Sequence, residues 1–309
     1  PHTEYIIDLL KYKYRIGMLS RGYKRQTKGF VLATRKSTPR DIGDEPYQIY
    51  QKFGRDITVA VCEDRCAGIE ELLRVNDKIN LIILDDAFQH RYVKPTVSIV
   101  LTEFNRPIFY DRLLPFGRLR ESARALSRCD MVVVTKCPEQ LKAIEYRIFK
   151  NSLNLFPYQK LLFSRFEYQP LEPVFPDEAM QPPHLSWLNA DDSVLLLTGV
   201  ANPKPLVRYL KRFSPKLSVR QFPDHHYFSR RDLDAVARQF KNLPGERKII
   251  VTTEKDAVRL ASNPYFPVAL KEHIFYLPIK VAFDSHTADN FDDVLQKALL
   301  DAAKTEQDT

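Results

Sequence analysis

Short apolar runs, each followed by a segment of helical pattern, are the feature of this sequence that most constrains its fold. The runs are rich in Ile, Val and Leu and cover residues 15–19, 57–61, 80–84, 97–101, 131–134, 194–197 and 248–251. Runs of this length and composition are typical of parallel strands that are buried on both faces. Their alternation with helical segments predicts an α/β fold whose mostly parallel sheet is flanked by helices.

A proline-rich stretch divides the chain. Five prolines lie between Tyr168 and Trp187, and such a stretch is typical of a linker or a long irregular loop. The length of 309 residues suggests two domains, since a domain takes roughly 150 residues. We therefore predict a core domain over residues 1–166, a linker over 167–187 and a second, smaller α/β domain over 188–309. The last predicted helix, residues 290–304, can pack back on the core domain.

The composition of the chain favours some classes of protein and excludes others. The chain has 47 Lys and Arg against 39 Asp and Glu, a formal net charge of +8. This charge favours anionic partners such as nucleic acid, phosphorylated ligands or an acidic membrane surface, although basic residues also serve solubility alone. The hydrophobic fraction of 44% excludes a disordered chain, and no apolar stretch is long enough to span a bilayer. Cys62, Cys66, Cys129 and Cys137 lie at no spacing typical of a zinc site, so we expect free thiols.

The strongest local motif is the run 81–86, in which four apolar residues precede Asp85 and Asp86. This Walker B pattern delivers carboxylates to the carboxyl edge of a parallel sheet, where an Asp can hold Mg²⁺ directly or through water. Structural strands also often end in an acid, but the continuation Ala-Phe-Gln-His over residues 87–90 makes the motif more specific. No G-x-x-x-x-G-K-[ST] motif for binding phosphates precedes it in the chain.

Two further motifs carry candidate residues in predicted loops. Arg21 follows a predicted strand and can pair with a phosphate through its planar guanidinium group, or it lies in a plain strand-end turn. Asp44 and Glu45 stand directly before Pro46, which predicts a rigid, non-helical turn. Either acid can be the general base for a sugar hydroxyl if a partner orients it, and solvated loop acids are the alternative.

Basic and histidine pairs provide two more candidate sites. Arg118 and Arg120 lie two residues apart in the run 114–121 and can clamp an anion or simply lie on the surface. Downstream, the run 222–226 ends in His225 and His226. Because no third ligand stands at a suitable spacing, we expect hydrogen-bonding roles for these histidines rather than a metal site.

Taken together, these motifs resemble those of the tetraacyldisaccharide 4'-kinase family. Seven motifs occur in the family's order between residues 1 and 260: Ser20-Arg21-Gly22-Tyr23, Asp44-Glu45-Pro46, Asp85-Asp86 with Phe88-Gln89-His90, Leu119-Arg120-Glu121, Gly199 with Ala201-Asn202-Pro203, Asp224-His225 and Thr253-Glu254-Lys255-Asp256-Ala257. Each motif is weak alone, but the seven in order are specific.

The resemblance implies a P-loop-type kinase that uses ATP and Mg²⁺ to phosphorylate the 4'-hydroxyl of a tetraacylated disaccharide 1-phosphate, a lipid A precursor. It also implies roles for individual residues. Asp44 is the base candidate with His225 as its partner, and Asp85 and Asp86 handle Mg²⁺. The residues expected to bind phosphates or sugar are Arg21, Glu45, Arg65, His90, Arg120, Asn202 and Lys255.

The resemblance further implies a place in the cell, the cytoplasmic face of the bacterial inner membrane. An anionic lipid substrate and a basic chain predict peripheral binding to the anionic inner-membrane surface, with residues 11–15 and 24–25 as candidate contacts. No nucleic-acid partner is expected, because the aromatic residues are scattered and no known nucleic-acid-binding module is present.

The sequence also departs from the family pattern. In the family, a P-loop ending in Gly-Lys-Thr stands directly before a Pro-His pair like Pro1-His2, so we expect this 309-residue chain to lack its phosphate cradle and to be nearly inactive. Lys24 stands where the family has glycine, and Phe116 and Arg118 replace a small residue and a proline. The alternative functions are a P-loop ATPase or GTPase of other specificity and a non-catalytic protein that binds anions or nucleic acid.

Overall fold

The structure is a computed structural model that describes residues 1–178, 184–214, 216–224, 226–284 and 289–307. Its α-helices are α1 His2–Leu10, α2 Pro39–Ile42, α3 Asp44–Phe53, α4 Arg65–Val75, α5 Ala143–Leu153, α6 Lys204–Leu210, α7 Arg230–Lys241, α8 Glu254–Ala261 and α9 Phe291–Gln307. Its strands are β1 Ile16–Ser20, β2 Val31–Leu32, β3 Thr58–Val61, β4 Leu81–Leu84, β5 Ile99–Glu103, β6 Met131–Thr135, β7 Lys160–Tyr168, β8 Glu172–Pro173, β9 Ser193–Thr198, β10 Lys216–Gln221, β11 Lys248–Thr253, β12 Ile274–Leu277 and β13 Ile279–Phe283. All seven apolar runs identified in the sequence overlap a strand, as predicted.

The chain forms two compact units that do not follow the predicted boundaries. Unit 1 comprises Pro1–Arg21, Asp64–Glu167 and Lys280–Thr309, and unit 2 comprises Gly22–Glu63 and Tyr168–Ile279. The sequence prediction assigned residues 22–63 to the core domain and 280–309 to the second domain, with the last helix able to pack back on the core. That helix, α9, does belong to unit 1. A division read along the chain assigns contiguous stretches to each domain, whereas here each unit is built from separate stretches that pack together.

Parallel strands organise unit 1. β1 and β4 pair in parallel, with Ile16 opposite Leu81 and Leu19 opposite Leu84. A second sheet has the order β13-β7-β6-β5, in which β6 pairs in parallel with both β5 and β7. Its core includes Val132, Val134, Phe149 and Phe163, because β6 is buried on both faces and α5 covers one of them.

Side-chain hydrogen bonds from His2 and Tyr5 hold the first turn of α1 against the rest of unit 1. The ring nitrogen Nε2 of His2 lies 2.8 Å from the hydroxyl of Ser164 in β7, and burial lowers the pKa of His2 to about 3. This imidazole is therefore neutral at physiological pH. The Tyr5 hydroxyl donates to Asp292 of α9 at 2.8 Å. These contacts hold the intervening Thr3 in a defined position.

Unit 2 contains a five-stranded sheet of order β10-β9-β11-β12-β8. The first four strands are parallel, and β8 pairs antiparallel at the edge, with Glu172 opposite Tyr276. Alternate residues of β9 fill the two faces: Leu195 and Leu197 lie in one hydrophobic cluster, and Val194 and Leu196 in the other. This is the two-sided burial expected of an apolar parallel strand.

The predicted linker contains regular structure. β7 continues to Tyr168, residues Glu172–Pro173 form β8, and Leu185–Trp187 form a short 3-10 helix. Pro173 is compatible with a strand because β8 lies at the edge of its sheet, where one side of the strand needs no ladder hydrogen bonds. Part of the linker, residues 179–183, lies outside the described residues.

Candidate active site

The carboxyl ends of β1 and β4 bring Arg21 and Asp85 to one edge of unit 1. The register continues past the strands, since the Asp85 backbone N–H donates to the Leu19 carbonyl at 3.0 Å. The Asp85 carboxylate accepts a hydrogen bond from Thr3 Oγ1 at 2.9 Å. Arg21 follows Ser20, the last residue of β1, and is exposed. This is the edge at which open parallel sheets bind ligands.

The buried side chain of Arg65 contacts the backbone of the two predicted metal ligands, Asp85 and Asp86. Arg65 is the first residue of α4, is fully buried, and reaches the carbonyl oxygen of Asp85 from Nη2 at 3.3 Å. A longer contact of 3.5 Å joins the same nitrogen to the Asp86 carbonyl. Arg65 therefore belongs to the predicted site, but its described contacts stabilise the backbone that carries the two acids.

Asp86 and Arg120 form the exposed part of this cluster. Asp86 has a φ of +47°, which turns the chain away from the strand. Arg120 Nη1 lies 3.6 Å from Asp86 Oδ2 and 3.4 Å from Gln89 Oε1, and both ionic side chains are more than 60% exposed. His90 is half-buried in the same loop, where its backbone N–H donates to Ala87. The structure thus brings four of the predicted site residues together: Arg65, Asp85, Asp86 and Arg120.

The acids fit the way in which Mg²⁺ is bound in kinases. No group of three or more His, Cys, Asp or Glu side chains that could hold a metal by itself occurs in the described residues. Kinase Mg²⁺ is usually held by one or two carboxylates together with substrate phosphates and water. Asp85 and Asp86 at the end of β4 match that requirement.

In unit 2, Asp44 begins a helix rather than lying in a non-helical turn, so that prediction was wrong. α3 starts at Asp44, with Gly43 as its N-cap and Pro46 in its first turn. A proline is tolerated there because the first backbone N–H groups of a helix have no partner within the helix. Glu45 is exposed at the same helix start, where the helix dipole favours both acids.

The described partner of Asp44 is Arg259 of α8. Arg259 donates to Asp44 Oδ2 from Nε at 3.1 Å and also from Nη2. Its Nη1 lies 3.4 Å from Oδ1 of Asp256, which is fully buried. The predicted partner of Asp44, His225, lies outside the described residues. Arg259 was not among the predicted site residues, although its place three residues after Asp256 on one helix face was a usable signal.

The remaining predicted residues of unit 2 have local partners. Lys255 lies 3.6 Å from Asp224 Oδ1, which belongs to the motif that also contains His225. Asn202 is exposed, and its side chain accepts from the Lys204 backbone N–H at 3.2 Å at the start of α6. This bond closes a local turn just before α6.

Only some of the predicted membrane-contacting residues in segments 11–15 and 24–25 are exposed to solvent. The side chain of Arg25 is 3% exposed and pairs with Glu63 at 2.7 Å, so it cannot serve as a surface contact, contrary to the prediction. Lys11 pairs with Asp8 at 2.7 Å, while Tyr12 is 87% exposed. The described part of the chain contains no helix that is both long enough and apolar enough to cross a membrane.

The four cysteines are free thiols, as predicted. Burial raises the pKa of Cys129 to about 11 and that of Cys137 to about 12. Both thiols are therefore protonated at neutral pH and carry no nucleophilic chemistry.

Comparison with known proteins points to one family of kinases. The sequence profile of the family described as "LpxK: Tetraacyldisaccharide-1-P 4'-kinase" matches residues 1–299. The tetraacyldisaccharide 4'-kinase of Bacteroides thetaiotaomicron is 49% identical over 298 residues, which cover 94% of this chain and 78% of that protein. The enzyme of the same name from Flavobacterium johnsoniae is 43% identical over 292 residues, or 94% of this chain and 80% of that protein.

A solved structure extends the similarity to the fold. The "apo" form of LpxK from Aquifex aeolicus, in complex with ATP, has a TM-score of 0.69 to this chain at 26% sequence identity. The similarity covers 97% of this chain and 82% of that protein.

Proposed function

Because this chain belongs to the LpxK family of tetraacyldisaccharide-1-P 4'-kinases, we propose that it transfers the γ-phosphoryl group of ATP to the 4'-hydroxyl of a tetraacylated disaccharide 1-phosphate. The chain is an ATP-using kinase of lipid A biosynthesis. The observation that carries the assignment of its residues is the cluster of Asp85, Asp86, Arg65 and Arg120 at the carboxyl edge of β1 and β4.

The unit 1 cluster supplies positioning and charge. Asp85 and Asp86 would hold Mg²⁺, which neutralises charge on the phosphoryl oxygens when it is bound. Arg65 contacts the backbone carbonyl oxygens of both residues and so stabilises the segment that carries their carboxylates. The guanidinium group of Arg120 lies beside Asp86. When substrate is bound, an anionic phosphate oxygen can replace Asp86 as the partner of Arg120. Phosphoryl transfer depends mainly on such positioning and charge stabilisation.

Asp44 is the proposed general base. It accepts the proton of the 4'-hydroxyl while that oxygen forms a bond to the γ-phosphorus, and the bond from phosphorus to the bridging oxygen breaks to release ADP. Its place at the start of α3, with the side chain 17% exposed, leaves it reachable but largely shielded from water. His225 stays its proposed partner, and Arg21, Glu45, His90, Asn202 and Lys255 stay proposed contacts to phosphate or sugar.

The other functions raised by the sequence are not favoured. A P-loop ATPase or GTPase of other specificity, or a non-catalytic binding protein, does not account for identities of 43% to 49% to several proteins that share one name. The substrate proposed here is the one that this name describes.

We also propose that the enzyme works at the cytoplasmic face of the inner membrane, on an anionic lipid surface. The support is a loop, residues 106–120, which we call the arginine loop. It exposes Leu114 by 62% and Phe116 by 86% between the exposed Arg112 and Arg118, and Tyr110, just before Arg112, by 76%. Apolar side chains ringed by arginines suit the boundary between anionic headgroups and acyl chains.

The arginine loop is held in one shape by its own hydrogen bonds. Asp111 Oδ1 accepts from the backbone N–H groups of Arg112 at 2.9 Å and Arg118 at 3.2 Å. Two backbone bonds of 3.0 Å close the loop, from Leu114 to Leu119 and from Leu119 to Arg112. Its apolar tip therefore stays exposed instead of folding back on the protein.

The test of the kinase assignment is ATP-dependent phosphorylation of tetraacyldisaccharide 1-phosphate, with Mg²⁺ and detergent, by the chain joined at Pro1 to a P-loop segment that ends in Gly-Lys-Thr, compared with Asp44→Ala. All the kinetic variants below are made in this same protein. We expect phosphate to appear on the 4'-oxygen and the rate to collapse in Asp44→Ala. ATP hydrolysis without lipid phosphorylation would instead indicate a different acceptor, and full activity of Asp44→Ala would place the base elsewhere.

A further inference from the structure

We propose that Arg259 is a positioning residue that fixes the Asp44 carboxylate for proton transfer. The inference rests on the proposed function of Asp44 as the base. Two nitrogens of the Arg259 guanidinium group donate to the same oxygen of Asp44, the one from Nε at 3.1 Å. Both side chains are largely buried, with 7% of Arg259 and 17% of Asp44 exposed.

The position of Arg259 is itself fixed from the other side. Its third nitrogen, Nη1, contacts Asp256 Oδ1 at 3.4 Å, and Asp256 has no exposed surface. The second oxygen of Asp256 accepts from the Gly199 backbone N–H at 2.8 Å and from Thr253 Oγ1 at 2.7 Å. The orientation of Asp44 is thus tied to the backbone at the end of β9 and to the start of α8.

This chain of contacts joins residues that lie far apart in the sequence. Asp44, Gly199 and Asp256 each stand in one of the motifs that resemble the kinase family, and Arg259 connects them. A lysine could not make the same connection, because its single nitrogen cannot hold both carboxylates in the planar geometry of a guanidinium group.

Stability alone is a weak reason for this arrangement. One cation lies between two largely buried carboxylates, and the loss of hydration of such groups offsets most of their attraction. A fixed direction of the Asp44 carboxylate is a stronger reason, since a base must lie within hydrogen-bond reach of the proton that it removes. Arg259 provides that direction before the sugar binds.

The test is a double-mutant cycle with Asp44→Asn, Arg259→Lys and the double variant, measured as kcat and as KM for ATP and for the lipid. Arg259→Lys keeps a cation between the two carboxylates, which protects the fold. We expect it to lower kcat about tenfold or more while both KM values stay within about twofold, because misplaced catalytic groups affect mainly the chemical step. In the Asp44→Asn background, Arg259→Lys should have no further effect on kcat.

The matched control is Lys52→Met. Lys52 of α3 pairs with Glu254 of α8, so this variant breaks a second ion pair between the same two helices without touching Asp44. We expect Lys52→Met to keep the wild-type kcat even where its melting temperature falls as far as that of Arg259→Lys. An equal loss of kcat in Lys52→Met would show that helix packing alone is responsible and would overturn the proposal.

The outcomes separate this inference from the proposed function. Equal losses from Arg259→Lys in the wild-type and Asp44→Asn backgrounds contradict action through Asp44. An inactive Asp44→Asn beside a fully active Arg259→Lys contradicts the positioning role and leaves the base assignment intact. A fully active Asp44→Asn contradicts the base assignment itself.

Discussion

The hydroxyl of Thr3 donates a hydrogen bond of 2.9 Å to Oδ1 of Asp85. Thr3 lies in the first turn of α1, and Asp85 directly follows β4, so the bond joins a helix start to the end of the Walker B strand. Groups that hydrogen-bond to a metal-binding carboxylate orient it and adjust its affinity for the ion. Thr3 therefore acts on the proposed Mg²⁺ site through Asp85.

We expect Asp85→Asn to lower the phosphorylation rate by about 100-fold or more and Thr3→Val by about 10-fold, with a higher Mg²⁺ requirement in both. Thr3→Ser keeps the hydroxyl and should retain most of the activity. The measurement is the initial rate against Mg²⁺ concentration at saturating ATP. An unchanged Mg²⁺ dependence in Asp85→Asn would remove this residue from the metal site.

Gly43 is expected to control both the stability of unit 2 and the position of Asp44. It has a φ of +89°, and a Cβ there would meet the Tyr23 carbonyl oxygen at 3.1 Å. Gly43→Ala should lower the free energy of unfolding by about 1–3 kcal/mol, because an L side chain is strained in this conformation. It should also lower kcat, since the displaced residue adjoins Asp44.

Gly29→Ala is the control for this prediction. Gly29 also has a positive φ, +71°, but a Cβ there meets nothing within 4 Å. Urea unfolding should show a loss of stability for both variants, and only Gly43→Ala should lose kcat under conditions in which it is folded. Equal kcat values for the two would mean that the start of α3 tolerates displacement.

The strands could be predicted from the sequence because burial on both faces leaves a continuous apolar run, as in residues 194–197 of β9. The short edge strand β8 could not, because Glu172–Pro173 has only two residues and carries no such pattern. Which stretches share a compact unit was also not predictable, since residues 22–63 join residues 168–279 through contacts that leave no periodic signal.

Site residues that lie within one sequence motif could be predicted. Contacts between residues from distant parts of the chain could not. Asp85 and Asp86 follow a recognisable strand, and in the structure Arg65 and Arg120 contact them. The ion pair of Asp44 with Arg259 spans 215 positions of sequence and depends on the packing of α3 with α8. A pattern within one stretch contains no information on such a contact.

The Arg25–Glu63 ion pair should make unit 2 sensitive to acid. Burial acts to raise the pKa of Glu63, but hydrogen bonds from Arg25 and from the Gly29 backbone outweigh it and lower the pKa below its usual value. A lowered carboxyl pKa stabilises the fold above the ordinary pKa of glutamate, and this stabilisation disappears as the pH falls through the lower, folded value.

Glu63→Gln should therefore lower the free energy of unfolding by about 1 kcal/mol at pH 7. In strong acid it should have no effect, because Glu63 is then protonated in both the folded and the unfolded protein. Urea unfolding of both proteins from pH 7 to pH 3 measures the difference, which should shrink steadily below about pH 4.3. A difference that is independent of pH would mean that the ion pair contributes only packing.

The arginine loop predicts how the enzyme binds lipid surfaces. Phe116→Ser should weaken binding to vesicles containing phosphatidylglycerol about tenfold, since it removes a Phe side chain that is 86% exposed in the free protein and would be buried in the membrane. Arg112→Gln should weaken the same binding about fivefold, because each basic residue near an anionic surface contributes about 1 kcal/mol. On phosphatidylcholine vesicles the effect of Arg112→Gln should vanish, whereas that of Phe116→Ser should remain.

Co-sedimentation with vesicles of the two compositions measures these affinities, and Val268→Ser is the control. Val268 is 77% exposed in unit 2 and lies outside the arginine loop, so its removal should leave binding unchanged. Equal losses in Val268→Ser and Phe116→Ser would mean that any exposed apolar side chain contributes. Unchanged binding in both Phe116→Ser and Arg112→Gln would assign the membrane contact to another surface, with the exposed Tyr12 in the basic segment 11–15 as the next candidate.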